Sequence, residues 1–154
     1  MKKVLASIFS IAMVLSLSQL AAAQSGSGSM NDQLIQAAAN GNTAAVQQLL
    51  DKGANIEAKN SVGSTALIMA AFHLKVDVVK LLLDKGANIE AKSDEGYTAL
   101  IAAAMVGQTD IVKLLLEKGA NVEARDNLGY TALKEAEEIG YTEIVKLLRE
   151  HGAH

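Results

Sequence analysis

Residues 84–93 read DKGANIEAKS, and the same ten positions appear almost letter for letter at 51–60, as DKGANIEAKN. A third copy, EKGANVEARD, fills 117–126, and a clipped fourth, EHGAH, closes the chain at His154. The copies start 33 residues apart. A fixed period of this size marks a stacked solenoid, in which each unit buries its faces only against its neighbours. The units align as 51–83, 84–116 and 117–149, with a degenerate leading unit at 31–50 and a remnant at 150–154.

Every unit carries the same local signals. TALIMAAF at 65–72 and TALIAAAM at 98–105 read as short helices. Thr65, Thr98 and Thr131 stand where a hydroxyl caps a first turn. Gly107 and Gly140 interrupt the chain after these helices, as a left-handed C-terminal residue does. VDVVKLLL, TDIVKLLL and TEIVKLLR at 76–83, 109–116 and 142–149 are second helices with an inward apolar stripe. Leu114 is expected in the core on this reading, and Ile144, Val145, Leu147 and Leu148 close the last interface. Gly86, Gly119 and Gly152 end the second helices. ANIEAKSDEGY at 87–97 is then an extended run with its own glycine, suited to a hairpin-like turn.

Helix, turn, helix and projecting loop at this period resemble the ankyrin repeat. The likeness covers residues 31–154 and rests on G-x-T-A-L-x-x-A-A followed by D-I-V-K-L-L-L-x-K-G-A-N. It implies an all-α solenoid of stacked helix-turn-helix units with projecting hairpin-like turns. There are departures. The family has Thr-Pro-Leu-His where this chain has Thr65-Ala66-Leu67-Ile68, Thr98-Ala99-Leu100-Ile101 and Thr131-Ala132-Leu133-Lys134. The proline would favour the first turn, and the histidine would bond between repeats. Leu74 occupies the position of the glycine that joins the two helices. In the last unit, Lys134, Glu135, Glu137 and Glu138 read as the polar outer face of a terminal repeat, so four repeats are expected to make up the whole folded part.

Upstream, Lys2 and Lys3 precede an apolar stretch from Val4 to Leu20, and Ala21-Ala22-Ala23 follow. Charge, apolar core and small residues are the pattern of a secretory signal peptide, expected over 1–23. Ser7, Ser10, Ser16, Ser18 and Gln19 dilute the stretch, which argues against a membrane anchor. Residues 24–30, QSGSGSM, read as a flexible linker. A start at Met30 is the competing reading and would give a cytosolic product. Cleavage leaves 131 residues, enough for one small domain. Two of the 14 basic residues depart and all 17 acidic ones remain, a net charge of −5. Such a chain repels nucleic acid and anionic membranes. The absence of cysteine suits an oxidising compartment and leaves stability to packing alone. Many alanines and few aromatics predict a thin core with closely spaced helices.

Chemistry is hard to find. No serine lies in a G-x-S-x-G turn and no phosphate-binding loop occurs. His73 is the one histidine inside a full repeat, with no triad visible around it. His151 and His154 stand at the terminus and make a poor metal site. Asp94-Glu95 and Glu137-Glu138 are adjacent acids that point apart. The expectation is a non-enzyme with no cofactor and no metal. Glu57, Glu90 and Glu123 recur with Lys59, Lys92 and Arg125, and read as solvated surface charges with weak pairing.

Function is sought where the copies disagree, because repeated positions serve the repeated interfaces. The resemblance puts the free positions at the turn tips and on the concave side of the first helix. The tips are Ser61, Val62 and Ser64, then Asp94, Glu95 and Tyr97, then Asn127, Leu128 and Tyr130. The helix positions are Phe72 and His73, Met105 and Val106, Glu138 and Ile139, with Ala39 and Asn40 in the leading unit. Three of the four aromatics after residue 23, Phe72, Tyr97 and Tyr130, fall in this set, the fourth being Tyr141. An apolar strip rimmed by Asp94, Glu95 and Glu138 has the anatomy of an interface. The expected partner is another exported protein with a basic or mixed surface, bound by a monomeric periplasmic protein, as an inhibitor or protector of an envelope hydrolase. A secreted effector acting on host proteins, or an enzymatic or oxidative-stress factor using His73, are the alternatives.

Overall fold

The computed structural model of the chain describes residues 28–154. The expected signal peptide, and the linker as far as residue 27, lie outside the described residues. Among the described residues eight helices form four pairs: α1 (Met30–Asn40) with α2 (Thr43–Asp51), α3 (Ala66–Phe72) with α4 (Val76–Asp84), α5 (Ala99–Met105) with α6 (Thr109–Glu117), and α7 (Ala132–Ile139) with α8 (Thr142–Glu150). Among the described residues there is no strand. One isolated antiparallel bridge joins Arg125 to Thr131. The first helices α1, α3, α5 and α7 stack as an inner row, and α2, α4, α6 and α8 form an outer row with looser contact. This is the all-α solenoid that the repeat pattern predicts.

The expected caps form. Thr65, Thr98 and Thr131 accept the backbone N–H of Ile68, Ile101 and Lys134 at 3.4, 3.3 and 3.3 Å. Alanine takes the first helical position in α3, α5 and α7 in place of proline. Every residue of α3 and α5 is buried. Ala70, Ala71, Ala103 and Ala104 are small enough for the inner helices to approach closely, and Leu34, Leu67 and Leu100 fill one buried place per repeat. The outer helices are amphipathic. Val78, Val79 and Leu82 face inward while Lys80 and Asp84 face solvent.

Four expectations change. The first helix begins at Met30, inside the stretch read as a linker. Ser29 accepts the Asp32 N–H at 3.2 Å, and the Asp32 carboxylate accepts the Ser29 N–H at 3.0 Å. That capping box satisfies two orphan amides and fixes the start. Second, Leu114 is only half-buried, and its neighbours Leu115 and Leu116 are the leucines α6 buries. Val145 and Leu147 are likewise half-buried, whereas Ile144 and Leu148 are buried. Third, Glu135 is buried and is not part of the solvated cap. Exposed Glu137 instead pairs with Arg149 at 2.6 Å, and Lys134 pairs with Glu138 at 3.6 Å.

The fourth concerns the recurrent charges, which tie the repeats together. The Glu57 carboxylate accepts the Asn88 N–H at 2.7 Å, Glu90 accepts that of Asn121 at 2.8 Å, and Glu123 accepts that of His154 at 3.1 Å. The Lys59 ammonium donates to the Lys92 carbonyl, and Lys92 to the Arg125 carbonyl, each at 2.8 Å. Glu57, Glu90, Glu123, Lys59 and Lys92 each satisfy a backbone group one repeat onward, whereas Arg125 donates to the Gly129 carbonyl of its own turn at 2.9 Å, and charge-assisted bonds of this kind exceed a loose surface pair. Only Arg125 and Glu123 pair with each other in this set, at 4.0 Å.

Candidate functional site

The tips owe their shape to one side chain each. Asn60 Oδ1 accepts the N–H of Val62 and of Ser64, at 3.1 and 2.9 Å. Asp126 Oδ1 accepts those of Leu128 and Tyr130, at 2.9 and 2.8 Å. Ser93 Oγ accepts that of Tyr97 at 3.1 Å. Asparagine, serine and aspartate at this position all supply the local acceptor that a tight turn needs. Successive tips are then sewn together. Asp94 N–H donates to the Val62 carbonyl at 3.1 Å, and Asn127 N–H to the Glu95 carbonyl at 3.0 Å. The Asn127 side chain adds a bond to the Asp94 carbonyl at 2.6 Å.

This stacking lines up part of the expected strip. Ser61, Asp94, Glu95 and Asn127 are exposed, and Leu128 keeps 77 % of its surface in solvent. Val62, Tyr97 and Tyr130 are half-buried, as are Val106, Glu138 and Ile139. Tyr97 and Val106 also lean on the core. Glu138 is engaged with Lys134, so the acidic rim is carried chiefly by Asp94 and Glu95.

Other members of the strip do not belong to a surface. Phe72 is 8 % exposed and Met105 3 %. They are the last residues of inner helices that neighbouring repeats enclose entirely, so their side chains pad the stack. Ser64 and Ala39 are buried as well, and Asn40 alone represents the leading repeat at the surface.

His73 is half-buried just past the end of α3. Its ring meets Phe72 edge-on, with centroids 5.8 Å apart. Its Nε2 is buried and has no hydrogen-bond partner. Burial, and then the nearby Lys75 ammonium, push its pKa below the usual imidazole value. A general base is oriented by a partner on its other side, and no such arrangement is visible at this ring.

One feature escapes the sequence reading, and a second is only half visible in it. A shallow cleft of about 800 Å³ opens on the last helix pair, lined in part by Arg125, Leu128, Tyr130, Leu133, Lys134 and Arg149. It sets cations beside two strip residues, each of them paired with an acid: Arg149 with Glu137, Lys134 with Glu138 and Arg125 with Glu123. Its lining comes from separate segments, which repeat alignment does not bring together. The second is Leu74, which has φ 64°, the one left-handed non-glycine backbone among the described residues, with 49 % of its surface exposed. Gly41, Gly107 and Gly140 take the same place elsewhere, at φ 77°, 75° and 96°. A Cβ in this region costs about 1–2 kcal/mol. Leu74→Gly should therefore stabilise the fold by about 0.5–1 kcal/mol after the greater chain entropy of glycine is deducted. The check is a urea titration; an unchanged or lower midpoint would contradict the strain.

A family model described as ankyrin repeats (three copies) matches residues 25–93 and 90–154. No curated protein is significantly similar to the chain.

Proposed function

The chain belongs to the ankyrin-repeat family, whose repeats indicate a protein–protein interaction module and are generally non-enzymatic, and from that premise we propose that it is a monomeric, exported binding protein of the bacterial periplasm. It docks on another exported protein through the strip of stacked tips. Its action there is inhibition or protection, with an envelope hydrolase as the target class. The observation that carries the reading is the run of Val62, Tyr97, Leu128 and Tyr130, held at or near the surface by backbone bonds between tips. Apolar groups on a soluble surface favour a covering partner, and tyrosine is a frequent hot-spot residue. Exposed acid at Asp94 and Glu95, with the ion-paired Arg125 and Arg149 farther along, suits a partner of basic or mixed charge. Export is supported by the charge, apolar and alanine pattern of residues 1–23.

Two measurements test this. Mass spectrometry of the protein from its own cells should find an N-terminus at Gln24 in the periplasmic fraction. One at Met30 or Asn31 would overturn export, and recovery outside the envelope would favour a secreted effector. For binding, the partner recovered from envelope extract is titrated by calorimetry against Tyr97→Ala and Tyr130→Ala. Each should weaken binding by about 1–3 kcal/mol. Tyr130→Ala should leave the melting temperature almost unchanged, whereas Tyr97→Ala should lower it slightly because Tyr97 leans on the core. Normal binding by both variants would move the interface away from the tips.

A further inference from the structure

The turn that joins α3 to α4 concentrates three unfavourable features in adjacent residues. His73 has a buried ring nitrogen without a partner, Leu74 is held in the left-handed region, and half of the apolar Leu74 surface faces water. The equivalent turn between α5 and α6 has none of them: Val106 and Gly107 stand in place of His73 and Leu74. We propose that residues 73–75 form an acid-sensitive latch, which opens when the His73 imidazole is protonated and then exposes Phe72 and Leu74 while the other turns stay closed.

The surroundings explain why protonation opens the turn. A charged ring must donate from both nitrogens, and Nε2 has no acceptor in the closed form. The charges on the packed elements do not favour the cation. Lys75, on the same turn, repels it. α3 and α5 contain no ionisable residue. The one acid of α1, Asp32, is engaged by Ser29 at the far end of that helix. On α4, Asp77, Lys80 and Asp84 are all exposed. Leu74 contributes from the other side, since its strain is released on opening.

The sign follows from linkage. The closed-form value lies below 6.5 and the open ring titrates near it. The closed turn is thus fully favoured above about pH 6.5, and loses ground as pH falls toward the closed-form value. Each unit of difference makes opening roughly tenfold easier at low pH. The device rests on the fold and not on the identity or location of a partner.

Amide hydrogen exchange followed by NMR on the full chain reads the latch directly. In the closed turn the His73 N–H donates to the Met69 carbonyl and the Lys75 N–H to that of Ala70, both at 2.9 Å. The matched reporters are Val106 and Gln108, which donate to Ala102 and Ala103 at 3.3 and 3.1 Å. After correction for intrinsic rates, protection at His73 and Lys75 should fall between about pH 7.5 and pH 5.5, by no more than about tenfold, with Val106 and Gln108 unchanged. His73→Val, which copies Val106, should abolish the pH dependence at Lys75, and His73→Asn, which copies Asn40, serves if the valine variant does not fold. A parallel loss of protection at both turns would overturn the latch, because the opening would then be global. So would a pH dependence at Lys75 that survives replacement of His73, because the response would then not originate in that ring.

Discussion

Leu115→Ala should cost about 2–5 kcal/mol of folding stability, the range for a large apolar side chain removed from a packed interior. Leu115 is fully buried, in the third of the four helix pairs. Its helix packs against α5 of its own pair and against α4 and α8 on either side. In a solenoid, stability is the sum of each unit and its contacts with its neighbours. A cavity here weakens the central unit and both of its interfaces, with no distant element to compensate. A small domain holds about 5–15 kcal/mol in total, so the loss is a large fraction of it. Leu114→Ala is the control, and it should cost clearly less because that side chain is half-solvated. Urea denaturation of both variants decides the matter. The slope carries further information, since uncoupling of the last pair from the first two would reduce the surface exposed in the main transition and lower the m-value. Equal losses at the two positions would mean that the side of α6 facing the core is assigned wrongly.

The contrast between these neighbouring leucines shows where sequence reading stops. Leu114, Leu115 and Leu116 stand in a row, so the helical period has three candidates for an inward stripe, and the angle at which α6 lies on α5 selects among them. Phe72 and Met105 show the same limit from another side. They align with exposed positions of the repeat, yet burial of the last residue in a short helix depends on how closely the next repeat approaches. The alanines that permit such approach are plain in the sequence, but their effect on those two side chains is not. Glu57, Glu90 and Glu123 repeat with the unit, and that regularity is itself the sign of a structural task. The task lies between repeats, however, and their spatial register is absent from a linear string. By contrast, the threonine caps, the glycines after each outer helix and the tip acids at Asp94 and Glu95 depend on local chain geometry or solvation, and these are legible. Leu74 is half-legible: its place in the glycine position follows from alignment, whereas the left-handed backbone that makes the substitution costly is a property of the folded turn.

Gly96→Ala should destabilise the fold by about 2–4 kcal/mol, combining left-handed strain with a clash that the neighbouring repeat cannot relieve. Gly96 has φ 83°, and a Cβ there would lie 2.8 Å from the Asn127 backbone nitrogen and 3.0 Å from the Asp126 carbonyl carbon. Both are backbone atoms, so no rotamer change makes room. The Asn127 N–H is also the donor that sews the third tip to the Glu95 carbonyl. Pushing it away costs that bond as well as the contact. Gly129 is the matched case. It has φ 85°, and a methyl group added there would meet nothing within 4 Å. Gly129→Ala should therefore cost only the backbone strain, about 1–2 kcal/mol. The difference between the variants isolates the contact between tips from the conformational demand they share. Thermal and urea unfolding measure the two losses, and amide exchange at Asn127 locates the damage. Equal destabilisation at Gly96 and Gly129 would mean that the tips are not packed on one another, and the strip that depends on their stacking would lose its physical basis.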